Sequence, residues 1–280
     1  MRRIWAMVLA LALLAAPVRA AEDEKWVALT FDDGPSGALT ERLLDGLAAR
    51  GVKATFFVCG YRVAEYPEAL RRIAAEGHEI GLHSEKHDYM QKMGYEAVLD
   101  DLTRCRAEVA ECCGAQTRLF RPPGGLYSET VLRASDAMGL SVILWSVDPE
   151  DWDAKKAASV LPTIRKEVFP GSIILMHDLH GSSIDAALTA IDELCAPGYR
   201  FCTVSELAEK SGSRFLVGYV KLTIDAANLR SVIRARRMER GADFLAQVLI
   251  PGGTVDTHIL AGAGGEELAS LFAGGWLSQA

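Results

Sequence analysis

From Trp26 to about Leu207 the chain alternates short, β-rich apolar runs with longer segments in which apolar positions recur at helical spacing. The short runs are Trp26–Phe31, Ala54–Val58, Glu79–Leu82, Arg118–Phe120, Ser141–Val147, Ser172–Met176 and Arg200–Val204, and they read as seven strands. The longer ones are Leu39–Arg50, Pro67–Glu76, Tyr95–Cys112, Ser128–Met138, Ala157–Val168 and Ile184–Leu194, and they read as amphipathic helices. Strand-then-helix order, repeated, predicts parallel strands joined by helical crossovers. So many units in so short a span predict an α/β fold, a small, distorted or incomplete (β/α) barrel, in preference to an open sheet.

The pattern changes at both ends. Arg2 and Arg3 precede an apolar run from Ile4 to Ala16, and Pro17-Val18-Arg19-Ala20 brings a helix break and small residues. This is the layout of a signal peptide over residues 1–20, too short for a comfortable transmembrane span. It predicts an exported protein, extracellular, cell-wall associated or periplasmic, with no stable membrane span after cleavage. Residues 22–212 then form the main domain. After the plausible linker Ser211-Gly212-Ser213 the alternation stops, and residues 213–280 read as a mainly helical appendage. In it, Leu222–Met238 is an Arg-rich amphipathic helix and Pro251-Gly252-Gly253 is a break.

A net charge of −7 leaves no basic footprint and argues against a nucleic-acid partner. Of the six cysteines, Cys195 and Cys202 are the first candidates for a disulfide in an exported protein. Cys59 and Cys202 also sit in apolar runs, where a buried free thiol is the commoner state. None has CxxC spacing, so no cysteine metal site is expected.

In a parallel barrel the C-terminal strand ends open on one face, where active sites form. Five polar clusters follow predicted strands: Asp32-Asp33, His83-Ser84-Glu85-Lys86-His87, Arg121-Pro122-Pro123-Gly124-Gly125, Asp148-Pro149-Glu150-Asp151-Trp152 and His177-Asp178. His83 and His87 are four apart, so on a helical turn both imidazoles would point the same way, the spacing of two ligands to one divalent metal. One carboxylate of the Asp32-Asp33 pair completes a two-His, one-carboxylate set, and the other is left as a general base. His177 is either a core histidine or a general acid whose pKa an Asp151 hydrogen bond would raise. Arg121 is either a structural ion-pair partner or the residue that orients the basic aspartate. Trp152 is either a wall for a sugar ring or part of the core. His78, before a strand, reads as structural.

These motifs, in this order over residues from about 25 to 210, resemble those of the NodB-type polysaccharide deacetylases, which remove acetyl groups from sugar polymers. The resemblance implies Asp32 as catalytic base, His177 as catalytic acid tuned by Asp151, and Arg121 paired with Asp32. It implies Asp33, His83 and His87 as ligands of one divalent metal, most often Zn2+. Leu175 and Trp152 would line the acetyl pocket, and the backbone N–H of Gly124 would face the oxyanion. That family often carries an aromatic residue where this chain has Gly124. Further on, Ile224–Arg230, Arg234–Arg237 and Leu249–Gly253 resemble a fragment of the C/d stalk subunit of V/A-type ATPases, an expectation that carries no ATPase function with it.

The expected function is metal-dependent hydrolysis of N-acetyl groups on an N-acetylglucosamine-containing polysaccharide, peptidoglycan or chitin-like. The acetylated glycan is then the partner. The alternatives are an O-acetyl esterase acting on xylan-type glycans and an inactive carbohydrate-binding module.

Overall fold

The computed structural model describes residues 24–210, then 225, 228–249, 254–264, 267–268 and 271. The expected signal peptide, the 211–213 linker and the Pro251-Gly252-Gly253 break lie outside the described residues, as does much of the stretch that resembles the ATPase subunit.

Seven strands form one parallel sheet: β1 Lys25–Asp32, β2 Thr55–Val58, β3 Glu79–Leu82, β4 Leu119–Phe120, β5 Ser141–Val142, β6 Ile173–His177 and β7 Tyr199–Cys202. Their order is β5-β4-β3-β2-β1-β6, and β7 also pairs with β1. β1 has β2 on one side. On its other side β7 takes the lower half, Lys25–Ala28, and β6 the upper half, Ala28–Asp32. A bridge between Val147 and Ile174 brings the two ends of the curled sheet together. The result is a distorted (β/α) barrel, as the alternation predicts. Its crossover helices include α1 Ala38–Ala49, α2 Gly60–Glu65, α3 Pro67–Ala75, α4 Tyr95–Cys113, α5 Glu129–Ala137, α6 Val160–Glu167 and α7 Gly181–Cys195.

Side chains alternate across a strand, so each strand divides its residues between two cores. Leu29 and Phe31 of β1, Phe56 and Val58 of β2, Leu82 of β3, Phe120 of β4 and Ile174 and Met176 of β6 pack outward against the helices. Each such side chain removed from water contributes about 1.5–3 kcal/mol. Ala28, Phe57, Leu119 and Cys202 point inward and fill the bottom of the barrel. Above this floor the inward positions turn polar. Thr30 pairs with Leu175 and Asp32 with His177 across the β1–β6 ladder, which sets these four on the inner face at the C-terminal ends.

Two expectations need correction. β5 stops at Val142 rather than running to Val147. The carbonyls of Ile143 and Leu144 accept hydrogen bonds from the Arg121 guanidinium, at 3.3 and 3.1 Å, instead of serving a ladder. The expected Cys195–Cys202 pair is two free thiols. Cys202 is sealed in the barrel floor, whereas Cys195 is exposed at the end of α7.

Among the described residues of the C-terminal segment, 228–237 are helical, followed by helices Ala242–Val248 and Thr257–Gly262. Val232, Ala235, Leu245, Leu249, Leu260 and Leu268 form an apolar cluster separate from the barrel cores. No helix among the described residues is long and apolar enough to cross a membrane.

Candidate active site

Asp32 ends β1 on the inner face and is nearly sealed from solvent. Arg121, which follows β4, is fully buried beside it and donates from Nη1 to Asp32 Oδ1 at 2.6 Å and to Thr30 Oγ1 at 2.8 Å. Its guanidinium also lies 4.1 Å from the centroid of the Phe57 ring. Burial pulls the Arg121 pKa down and the Asp32 carboxylate opposes this. Such a pair needs further hydrogen bonds to offset desolvation, and each Arg121 guanidinium nitrogen has at least one, to Asp32, Thr30 or the two carbonyls beyond β5. With Oδ1 engaged, Asp32 turns Oδ2 toward His83 Nε2, 3.7 Å away.

The next residue, Asp33, leaves the strand with a left-handed φ of 70°, and its side chain reaches the same His83 imidazole as Asp32. Asp33 Oδ1 is 3.2 Å from the Nε2 atoms of both His83 and His87. One ligand atom from each of these three residues lies within 4.8 Å of the others. Burial pushes the Asp33 carboxyl up, but the adjoining imidazoles of His83, His87 and His177, when protonated, outweigh it and bring it to about 2. His83 Nδ1 lies 2.7 Å from the Arg121 carbonyl, which accepts the imidazole proton and leaves the Nε2 lone pair facing the cluster. Asp33 Oδ1 is buried with no hydrogen-bond partner of matching geometry. Two imidazoles and a carboxylate converging on one point, with acceptors outnumbering protons, are a donor set that fits a divalent cation.

His83 and His87 do not sit on the helical turn that their spacing suggests. Residues 83–89 form a loop in which Ser84 and His87 have φ of 76° and 61°. Ser84 Oγ accepts from the backbone N–H groups of Lys86 and Asp88, both at 3.2 Å, so the serine side chain replaces the helical ladder. The loop is tied down from outside as well. The Ser84 and Glu85 carbonyls accept from the N–H groups of Gly60 and Tyr61 at the start of α2, and Glu85 N–H donates to the buried Asp101 of α4.

His177, at the end of β6, faces the same cavity. Asp151 grips it twice, accepting its backbone N–H at 2.9 Å and its Nδ1 proton at 2.8 Å. Nε2 is thereby directed inward, 3.9 Å from Asp33 Oδ2. Burial pulls the His177 pKa down, but the Asp151 hydrogen bond and charge, with Asp32 and Asp33 behind it, raise it to about 9. The imidazole therefore holds a proton at neutral pH.

Leu175, two residues before His177, is buried on the same inner face. Trp152 is not core: it is 54% exposed in the turn after Asp151. Gly124 has φ of 62° in the Pro123–Gly125 turn beside Arg121. His78, as expected, is structural. Its Nδ1 accepts from Ala54 N–H at 3.1 Å, and burial holds its pKa down at about 4.

The structure adds residues that motif spacing does not single out. Thr30 bridges Arg121 and the Ile174 carbonyl. Asp178 was visible only as the neighbour of His177. It is completely buried, its pKa is pushed up to about 6 by desolvation, and it bonds Thr40 Oγ1 while its carbonyl accepts from Ser36. Its carboxyl packs where Gly34 lacks a Cβ, so Gly34 is required by close approach. Tyr89 stands edge-on to His87 with ring centroids 5.8 Å apart.

The family model for polysaccharide deacetylases matches residues 19–143. Over 193 residues the chain is 38% identical to the peptidoglycan-N-acetylmuramic acid deacetylase PdaC of Bacillus subtilis, which covers 69% of this chain and 40% of that protein. It is 36% identical over 190 residues to a peptidoglycan-N-acetylglucosamine deacetylase of Bacillus cereus, covering 66% of this chain and 89% of that one. The solved structure of the Bacillus subtilis PdaC enzyme superposes with a TM-score of 0.64 at 37% identity, over 68% of this chain and 93% of that one. The chain spans about two fifths of the length of the first curated relatives it matches.

Proposed function

This chain belongs to the polysaccharide deacetylase family, and from that premise we propose that it hydrolyses N-acetyl groups on N-acetylglucosamine-containing glycans, releasing acetate and leaving a free amine. Relatives named for peptidoglycan and for chitooligosaccharides support peptidoglycan, or a chitin-like polymer, as the substrate class. An acetylated wall glycan is met outside the cytoplasm, and the apolar Ile4–Ala16 run after Arg2-Arg3 supports export.

One observation carries the reading. Two separately wired proton-transfer groups, Asp32 with Arg121 and His177 with Asp151, flank one set of three converging ligand atoms. Asp33, His83 and His87 would hold one divalent cation, for which Zn2+ suits the donor set. Such an ion supplies Lewis-acid polarisation of the acyl carbonyl and makes nearby water more acidic. The chain's own residues do the rest. Asp32, its Oδ1 engaged with Arg121, takes through Oδ2 a proton from the water that attacks the acyl carbon. The Gly124 N–H faces the oxygen on which charge develops. His177, kept protonated by Asp151, gives its Nε2 proton to the departing nitrogen as the C–N bond breaks. An amine leaves poorly unless it is protonated, so this acid favours an amide substrate over an ester. Leu175 and Trp152 line the space for the acetyl methyl group.

The test is release of free amine and acetate from N-acetylglucosamine oligomers, peptidoglycan and O-acetylated xylan by the purified protein. Amine release from the first two is expected. Acetate from xylan alone makes the protein an esterase, and binding without product from any of them makes it a carbohydrate-binding module.

A further inference from the structure

Tyr89 is an exposed aromatic residue on a fixed support. Its side chain is 59% exposed, but the next residue, Met90, is completely buried in the outer core, and Met93 N–H bonds the Met90 carbonyl. The loop before it is held by the Ser84 and Asp101 hydrogen bonds described above. The backbone under the ring is therefore anchored, and the ring stands edge-on to the His87 imidazole. A rigid aromatic surface loses little conformational entropy when a ligand covers it.

The turn opposite is shaped around that ring. A Cβ at Gly124 would lie 2.8 Å from Tyr89 Cε1, closer than real Cβ contacts come, so the glycine makes the room that the ring occupies. Its neighbour Gly125 does the same on the other side, where a Cβ would lie 2.7 Å from Trp145 Cη2. The Gly124-Gly125 turn thus lies between two aromatic side chains. Of the two, Tyr89 borders His87.

We propose that Tyr89 is a substrate-positioning residue that stacks on the apolar C–H face of the glucosamine ring bearing the acetyl group under attack. An aromatic face beside a polar cluster suits a pyranose, which is apolar on its faces and hydroxylated at its rim. A side chain at position 124 would run into the ring. The aromatic wall here comes from the His83–Tyr89 loop, and Gly124 contributes only backbone. The proposal rests on the deacetylase reading for the identity of the sugar.

The experiment compares wild type with Tyr89→Ala, Tyr89→Phe, Gly124→Ala and the double variant Gly124→Ala/Tyr89→Ala. KM and kcat are measured on the N-acetylglucosamine tetramer, and Kd for the fully deacetylated tetramer is measured by calorimetry. Tyr89→Ala should raise KM and Kd about tenfold, with the loss falling in KM rather than kcat, and Tyr89→Phe should stay near wild type. Gly124→Ala should raise KM by displacing the ring. Its effect should shrink once Tyr89 is gone, and the backbone strain of the alanine cancels in the cycle. A Tyr89→Ala protein with wild-type KM and Kd overturns the proposal, as does a loss confined to kcat. If wild type releases no amine from any glycan, the deacetylase reading fails, and the Kd comparison still decides Tyr89.

Discussion

The Nη1 of Arg121 lies 2.6 Å from Asp32 Oδ1, with both side chains sealed inside the barrel. Removing one member strands the other as a buried charge, which costs about 3–5 kcal/mol. Arg121→Ala is therefore expected to lower the urea midpoint sharply as well as to abolish turnover. Asp32→Asn keeps the shape and a hydrogen-bond acceptor but leaves the buried guanidinium without its counter-charge, so it too should lower the urea midpoint, while turnover falls by about 10²–10⁴-fold, the usual worth of a general base. A wild-type urea midpoint in either variant would show that the pair does not stabilise the fold.

The neighbouring carboxylate should respond differently. Asp33→Ala, His83→Ala and His87→Ala are each expected to abolish high-affinity binding of Zn2+ in calorimetric titrations of chelator-treated protein, whereas Asp32→Asn retains it. Chelation of wild type should remove turnover, and added divalent metal should restore it.

His177 and Asp151 make a pH-dependent contribution whose sign is set by geometry. The folded-state pKa, at about 9, lies above the ordinary value of 6.5. The pair therefore stabilises the fold fully below about pH 6.5, and that stability is lost as pH rises through about 9. In chelator-treated protein, unfolding free energy should fall from pH 6 to pH 9.5 by at most about 3 kcal/mol more in wild type than in His177→Gln. Asp151→Asn should also move the alkaline limb of the rate profile to lower pH.

Close approach can be tested without touching a charged group. A methyl at Gly34 would meet Asp178 Oδ1 at 2.5 Å, whereas one at Gly94 meets nothing within 4 Å. Gly34→Ala should lose about 1–3 kcal/mol of stability through overpacking, and Gly94→Ala should be close to neutral, as read by thermal denaturation.

The strands and helices were legible because period-two and helical-period patterns are local, and the barrel followed from their order. The five polar clusters were legible because strand ends converge in a parallel barrel, and the structure does bring Asp32, Asp33, His83, His87, Arg121, Asp151 and His177 together. What spacing missed depends on contacts distant in sequence. HxxxH suggests a helical turn, but Ser84 captures two backbone N–H groups and makes a loop. Ser141–Val147 looks like one strand, but Arg121 takes the carbonyls after Val142. Tyr89, a single aromatic in a polar loop, leaves no periodic signal, and its setting emerges only once Gly124 is opposite.

β1 is held along its lower half by β7, so Lys25 pairs with Tyr199 and Ala28 with Cys202. The strand that delivers both aspartates therefore gets its full set of neighbours only when the last strand of the barrel has joined. Contacts this far apart in sequence close a long loop, which costs chain entropy. During synthesis the first strand of the barrel is made long before the last strand that pairs with it. A chain cut short before residue 199 keeps every one of the five polar clusters and lacks the strand that lines the lower half of β1.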